Sequence, residues 1–290
     1  MPVIAERARA KINLTLKVLG KRSDGYHEIE SLVAFAGEAD TLTLDLDKPL
    51  SVSAGGPFGA SIAGENLVRV TLDRLAQAEP RLRLGAVTLH KNLPIAAGVG
   101  GGSSDAAAVL RAVQAANPEF ATSVDWLAIA TVLGADVPVC FHNRAAIIRG
   151  IGERLQFIDD VPSLAVVLVN PQVAVPADKT AQVFRSLAVR PFDPNNHQPE
   201  LSLSKNRGEL LAFMAATGND LSAPAARVVA ELELVIDTLS KCQGAEHIAV
   251  SGGGPTCFAV FPDDARATAA ALKLSAAHPA WWVRATRLSG

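Results

Sequence analysis

From Pro94 to Asp105 the chain reads Pro-Ile-Ala-Ala-Gly-Val-Gly-Gly-Gly-Ser-Ser-Asp, a composition suited to holding phosphate. Glycines at 98, 100, 101 and 102 remove the side chains that would keep a ligand from the backbone, and they permit the φ > 0 geometry that turns successive N–H groups inward. Ser103 to Ala116 follows with helix formers and apolar residues at Ala106, Leu110 and Val113, so the free N–H groups and positive dipole end of a helix would face the same anion. A flexible Gly-Ser linker is the plain alternative. It is disfavoured because a strand pattern (Val87, Leu89) precedes the glycines and a helix follows them without a break. No lysine follows as a Walker loop requires, and Gly98-x-Gly100 leads to Ser103 where a dinucleotide fingerprint needs glycine. Protein-kinase signatures are absent: the chain contains neither His-Arg-Asp nor Asp-Phe-Gly.

Four further segments carry potential chemistry. Lys11 and Asn13 stand two apart, which on a strand puts both on the face opposite Ile12 and Leu14. Alone, such a pair is most simply a solvated strand face. The segment Asp24-Gly25-Tyr26-His27-Glu28 is a turn followed by an aromatic ring and an imidazole, able to stack on a planar ring and hydrogen-bond its edge. Asp136, within Gly134-Ala135-Asp136-Val137-Pro138, lies among apolar residues, where a carboxylate needs a cation or donor beside it. Ser251-Gly252-Gly253-Gly254-Pro255-Thr256 is a second glycine turn between two β-like runs, readable in isolation as a tight hairpin. The six histidines form no His-Glu-x-x-His and no close pair, which argues against catalytic zinc.

Around these segments, alternation predicts strands over Ala10 to Leu19, Ile29 to Phe35 and Thr41 to Leu46, with a turn at Gly20 to Gly25. Helical periodicity marks Leu67 to Ala78, Ser103 to Ala116 and about Ser123 to Leu133, with strands at Val87 to His90 and Ala145 to Arg149 and a strand-like run over Val139 to Phe141. The first domain is assigned to residues 1–153. A second, 154–290, is read as strand Leu164 to Val169, helix Lys179 to Leu187, a polar loop over Pro191 to Pro199, and helices at Glu209 to Ala215 and Ala225 to Ser240. It closes with strands Ile248 to Val250 and Cys257 to Phe261, a helix Asp264 to Leu274 and a strand Trp281 to Arg287. The mixture is α+β, without regular βαβ alternation.

With 290 residues, 49% hydrophobic and 19% charged, the chain can bury one large core or two modest ones. A net charge of −2 and no basic tract argue against nucleic acid as a partner. Three scattered cysteines suit a reducing compartment, and no leader or bilayer-length apolar run is evident, so a cytoplasmic protein without a membrane partner is expected.

In order and spacing these segments resemble the GHMP kinase superfamily, over most of the chain. The likeness rests on Ala10-Lys11-Ile12-Asn13-Leu14, Asp24-Gly25-Tyr26-His27-Glu28, Asn66-Leu67, Leu93-Pro94 with Gly98-Val99-Gly100-Gly101-Gly102-Ser103-Ser104, Gly134-Ala135-Asp136-Val137-Pro138, Asn219-Asp220-Leu221 and Ser251-Gly252-Gly253-Gly254-Pro255-Thr256. Ala96 and Ala97 stand where the family commonly has glycine, Val99 where it has leucine, and Gly253 where it often has serine. The resemblance implies an N-terminal domain like ribosomal protein S5 and a C-terminal α/β sandwich. It further implies ATP as co-substrate, with Mg2+ expected and its ligands unassigned, and a small-molecule acceptor. Asp-Gly-Tyr-His behind the lysine resembles the member acting on the 2-hydroxyl of a cytidine diphosphate-linked methylerythritol, with other small-molecule kinases of the superfamily, or an inactive nucleotide-binding module, as alternatives. By the same resemblance Lys11 and Asp136 are the catalytic pair. Asn66, Leu67, Pro94, Gly98, Gly100, Gly101, Gly102, Ser103 and Ser104 would bind ATP. Asn13, Tyr26, His27, Asp136 and Phe184 would bind the acceptor, Tyr26 and Phe184 sandwiching its base. A monomer or homodimer is implied.

Overall fold

A computed structural model describes residues 3–61, 66–194 and 205–290. Along the chain these form β1 (Ile4–Asn13), β2 (Lys17–Lys21), β3 (His27–Asp45), β4 (Ser51–Gly55), α1 (Leu67–Ala78), β5 (Ala86–His90), α2 (Gly101–Ala116), α3 (Trp126–Leu133) and α4 (Val137–His142). Then follow β6 (Ala146–Gly150), β7 (Arg154–Phe157), β8 (Leu164–Asn170), α5 (Lys179–Arg185), α6 (Arg207–Thr217), α7 (Ser222–Val228), α8 (Glu231–Ser240), β9 (His247–Val250), β10 (Cys257–Phe261), α9 (Asp264–Ala277) and β11 (Trp282–Ser289). Two compact units result, one of residues 1–11, 38–95 and 100–143, the other of residues 12–37, 96–99 and 144–290. They interleave in sequence, whereas the expected division at 153/154 follows chain order.

In the first unit, β5 pairs antiparallel with Thr41 to Asp45 of β3 and parallel with β4. Helix α1 starts where the Asn66 side chain accepts from the Val68 N–H at 2.9 Å, and it buries Val68, Thr71, Leu72 and Leu75 on one stripe. Helix α2 packs against α1, α3 and α4. Ala106, Ala107, Ala108 and Ala112 are fully buried on it, and small residues on so many sides let these neighbours approach closely.

The second unit holds the antiparallel order β9, β10, β8, β11, with Cys257 opposite Val250 and Val169, and Val169 opposite Val283. Leu288 of β11 then pairs Ala36 of β3, while Ile29 to Val33 pair β6 and Lys17 of β2 pairs Glu30. Leu232, Val235, Leu239, Phe261, Val167 and Val169 belong to its buried core.

Several expectations need correcting. The run Val139 to Phe141 lies within helix α4, with Pro138 in the first turn, where a missing N–H costs nothing. Ile29 to Phe35 and all but the last residue of Thr41 to Leu46 belong to one 19-residue strand, β3. Gly37 does not interrupt it; a Cβ there would lie 2.8 Å from Thr286 Oγ1, so glycine serves close approach by β11. The predicted helix Ala225 to Ser240 is two helices, because Val229 takes an extended conformation at φ −130°, ψ 93°. Ala10 to Leu19 divides between β1 and β2, and strands β4 and β7 were not anticipated. The loop expected over Pro191 to Pro199 lies outside the described residues from 195 onward.

Candidate active site

Strand β1 and the turn before α4 bring Lys11 and Asp136 together. Their Nζ and Oδ2 atoms are 2.8 Å apart, with the Lys11 side chain 5% exposed and that of Asp136 34% exposed. The sequence pattern placed Lys11 opposite an apolar face, but Ile12 and Leu14 are buried as well, so both faces of this strand are covered and the ammonium needs its partner. Asp136 sits at the N-cap of α4 without using its carboxylate as a cap, which leaves the remaining lone pairs available.

The glycine run adjoins this pair. Gly100 is the N-cap of α2 at φ +65°, and a Cβ there would lie 3.2 Å from Lys11 Cβ and 3.5 Å from its Cε. Gly101 and Gly102 form the first helical positions. A Cβ on Gly102 would meet nothing within 4 Å, whereas one on Gly101 would lie 3.2 Å from Lys91 Nζ. First-turn N–H groups beside open space are what an anion at a helix N-terminus requires.

Ser103 is half-buried at the same end. Ser104 departs from its expected role: its hydroxyl donates to the Arg9 carbonyl at 2.7 Å and its N–H to the Gly100 carbonyl at 2.8 Å. One step round the helix turns this side chain to the core, so it supports the loop from beneath. Asn66 spends its side-chain oxygen on capping α1, with Leu67 half-buried beside it, and Pro94 is buried at the entrance to the loop.

Beneath Gly101 lies a cluster the sequence reading missed. Lys91 Nζ donates to Asp40 Oδ2 at 2.5 Å and to Asp105 Oδ2 at 2.6 Å, all three side chains being almost fully buried. Asp40 Oδ1 also accepts from the Asn92 and Leu93 N–H groups. Asp105 Oδ1 is buried without a partner among the described residues. Burial, with Asp40 close by, pushes the Asp105 carboxyl up to about 8 against the opposing pull of Lys91. For Lys91, burial works against the charge, yet the two carboxylates outweigh it and raise its pKa. Nothing local in the sequence pairs Asp40 with Lys91, and charged residues so often lie at the surface that neither invites notice.

In the second unit the two glycine segments interlock. Ser251 Oγ donates to the Gly98 carbonyl at 2.9 Å and accepts from the Asn13 N–H at 3.2 Å, while the Thr256 N–H donates to the Ala97 carbonyl at 3.0 Å. Asn13 Nδ2 donates to Ser31 Oγ at 2.8 Å. Its Oδ1 lies against Gly252, where a Cβ would be 3.2 Å away. Gly98 has φ +76°, and a Cβ on it would come within 2.6 Å of the Gly254 carbonyl oxygen and 2.8 Å of that of Ser251. Asn219 Nδ2 donates to the Val250 and Gly252 carbonyls, both at 2.8 Å. At Gly253, where the family often has serine, a Cβ would make ordinary contact with Val183 at 3.8 Å.

His27 stacks on Phe184, with centroids 4.9 Å apart and 26° between the planes. Phe184 thus pairs with His27, and among the described residues no ring contact joins it to Tyr26, which is 60% exposed. Desolvation, aided by Lys21, lowers the His27 pKa, so at neutral pH the imidazole has one donor and one acceptor nitrogen. Helix α5, which carries Phe184, also supplies Lys179, a buried residue that sequence reasoning passed over.

Residues 66–144 match the family described as GHMP kinases N terminal domain and residues 201–280 match GHMP kinases C terminal. The chain is 42% identical to 4-diphosphocytidyl-2-C-methyl-D-erythritol kinase of Parvibaculum lavamentivorans, over 99% of both chains. With the protein of the same description from Methylobacterium radiotolerans it is 45% identical, covering 99% of this chain and 100% of that one. A crystal structure of 4-(cytidine 5'-diphospho)-2C-methyl-D-erythritol kinase superposes with a TM-score of 0.77 at 33% identity, covering 99% of this chain and 100% of the other. That likeness carries with it the two-domain α+β fold anticipated above. Extending over essentially the whole length, these similarities make the chain a member of the GHMP kinases, in the 4-diphosphocytidyl-2-C-methyl-D-erythritol kinase family.

Proposed function

We propose that the chain transfers the γ-phosphoryl group of ATP to the 2-hydroxyl of 4-diphosphocytidyl-2-C-methyl-D-erythritol, in isoprenoid precursor synthesis by the non-mevalonate route. The observation that carries this reading is the buried Lys11 ammonium 2.8 Å from Asp136, with the stem of Lys11 against Gly100 at the start of α2. Asp136 takes the proton of the acceptor hydroxyl as the new O–P bond forms and the bond to the bridging oxygen of ADP breaks. Lys11 holds that carboxylate in place and favours negative charge on the attacking oxygen. The N–H groups at Gly100 to Gly102, with the Ser103 hydroxyl, meet charge on the transferring group. Ser104 enters as support for the loop.

His27 reads the edge of the cytosine ring, Tyr26 and Phe184 sandwich the ring, and Asn13 orients the acceptor. Asn66, Leu67, Pro94 and Gly98 shape the adenine and phosphate side. Magnesium accompanies the nucleotide. Among the described residues no group of three or more His, Cys, Asp or Glu side chains could hold a metal ion. We assign residues 1–153 and 154–290 as the two sequence domains, one family match falling on each side of that boundary. No helix among the described residues is long and apolar enough to cross a membrane. We assign the enzyme to the cytoplasm, as a monomer or homodimer. The test offers ATP with diphosphocytidyl-methylerythritol, mevalonate and homoserine in parallel. Phosphorylated product is expected with the first alone, and product with either of the others but not with the first would overturn the reading.

A further inference from the structure

Lys179, at the start of α5, is 5% exposed, yet among the described residues no carboxylate pairs with it. Its ammonium donates to the Ala96 carbonyl at 2.9 Å and to the Gly254 carbonyl. Desolvation lowers its pKa to about 8. A buried cation without a counter-charge is costly, so such a residue calls for an explanation beyond packing.

The two carbonyls give that explanation. Ala96 has φ +54°, a left-handed conformation uncommon for a residue with a Cβ, at the point where the chain enters the glycine loop. Gly254, at φ +64°, belongs to the turn that faces Gly98. Ala97 and Gly98 are already tied to that turn through Thr256 and Ser251, and Lys179 supplies the corresponding tie for Ala96. Three consecutive carbonyls, those of Ala96, Ala97 and Gly98, are thereby anchored.

We propose that Lys179 is a positioning residue for nucleotide binding, its ammonium clamping the carbonyls of Ala96 and Gly254 so that the loop keeps a ligand-ready shape although Ala96 is not glycine. This rests on the functional reading above, since it takes the loop to bind ATP.

The test uses the full chain and the variant Lys179→Met, which keeps the aliphatic stem and removes the donor. ATP affinity by calorimetry is expected to fall about tenfold or more, while KM for the acceptor stays within about twofold and Tm within about 4 °C of the unsubstituted protein. Adding Ala96→Gly to Lys179→Met should restore most of the lost affinity, because glycine takes φ +54° unaided. Unchanged ATP affinity in Lys179→Met overturns the proposal. Parallel loss of ATP and acceptor binding with a fallen Tm also overturns it, as does a double variant no better than the single one. Should Lys179→Met not fold, Lys179→Gln takes its place with the same readouts, and failure of both to fold overturns the proposal in favour of general structural support. Calorimetry with ATP needs no acceptor, so absence of turnover by the unsubstituted protein would count against the assigned acceptor and not against Lys179.

Discussion

In the proposed reaction Asp136 is the residue on which the chemistry turns, and its surroundings fit a group that must both hold a place and exchange a proton. One carboxylate oxygen meets Lys11, while about a third of the side chain stays open to an incoming hydroxyl. Asp136→Asn keeps the shape and a hydrogen-bonding oxygen but removes the base. We expect kcat to fall by about 10²-fold or more with both substrates still bound, checked by steady-state kinetics together with calorimetry. A near-normal kcat would remove Asp136 from the base role. At this scale the sequence was legible in part. Lys11 and Asp136 were marked by motif, but their contact joins residues far apart in the chain, and alternation spoke only of faces. Ser104 was misread because a loop motif gives residue types, whereas the helical register of α2 decides which of two adjacent hydroxyls faces the core.

Among the elements, the glycine loop separates two uses of glycine that composition alone does not distinguish. At Gly98 the backbone takes φ +76° and a methyl group would press on the carbonyl oxygens of Gly254 and Ser251. At Gly102, inside the first turn of α2, a methyl group would meet open space. Gly98→Ala should therefore destabilise the fold by roughly 1–3 kcal/mol and impair ATP binding as a consequence. Gly102→Ala should leave Tm unchanged or raise it, alanine being the better helix former by up to about 1 kcal/mol, while its methyl group raises KM for ATP about fivefold or more. Thermal unfolding and ATP kinetics on the two variants check both, and a Gly102→Ala enzyme with normal KM would move the nucleotide away from this turn. Elements with clear periodicity were the legible ones: α1 has the bounds, Leu67–Ala78, that its apolar periodicity predicts. The break at Val229 was hidden, since no glycine or proline marks it, and the six residues of α4 are too few for apolar periodicity to tell helix from strand.

On the scale of the whole molecule, the buried cluster of Asp40, Lys91 and Asp105 links the stability of the fold to the floor of the glycine loop. A single ammonium stands between two carboxylates, so with all three charged the cluster would carry one net negative charge out of contact with water. The raised pKa of Asp105 relieves this by keeping that carboxyl protonated over much of the neutral range. Because its folded pKa of about 8 exceeds the ordinary 3.8, the stability Asp105 contributes is fully present below 3.8 and is lost as pH rises through about 8. The raised pKa of Lys91 acts in a different window, its contribution being present below 10.5 and lost at more alkaline pH. Asp105→Asn imitates the protonated carboxyl and has nothing to ionise on unfolding, so at pH 6 it should already be more stable than the unsubstituted chain and should flatten the decline in stability between pH 6 and 8. Lys91→Met leaves the buried Asp40 carboxylate without its cation, at a cost of roughly 3–5 kcal/mol. Denaturant unfolding of the three proteins at pH 6, 7 and 8 measures both effects. If Asp105→Asn retains the full pH dependence, or Lys91→Met is as stable as the unsubstituted chain, the cluster does not set the acid–base response of this fold, and the loop above it draws its rigidity from the packing of α2 instead.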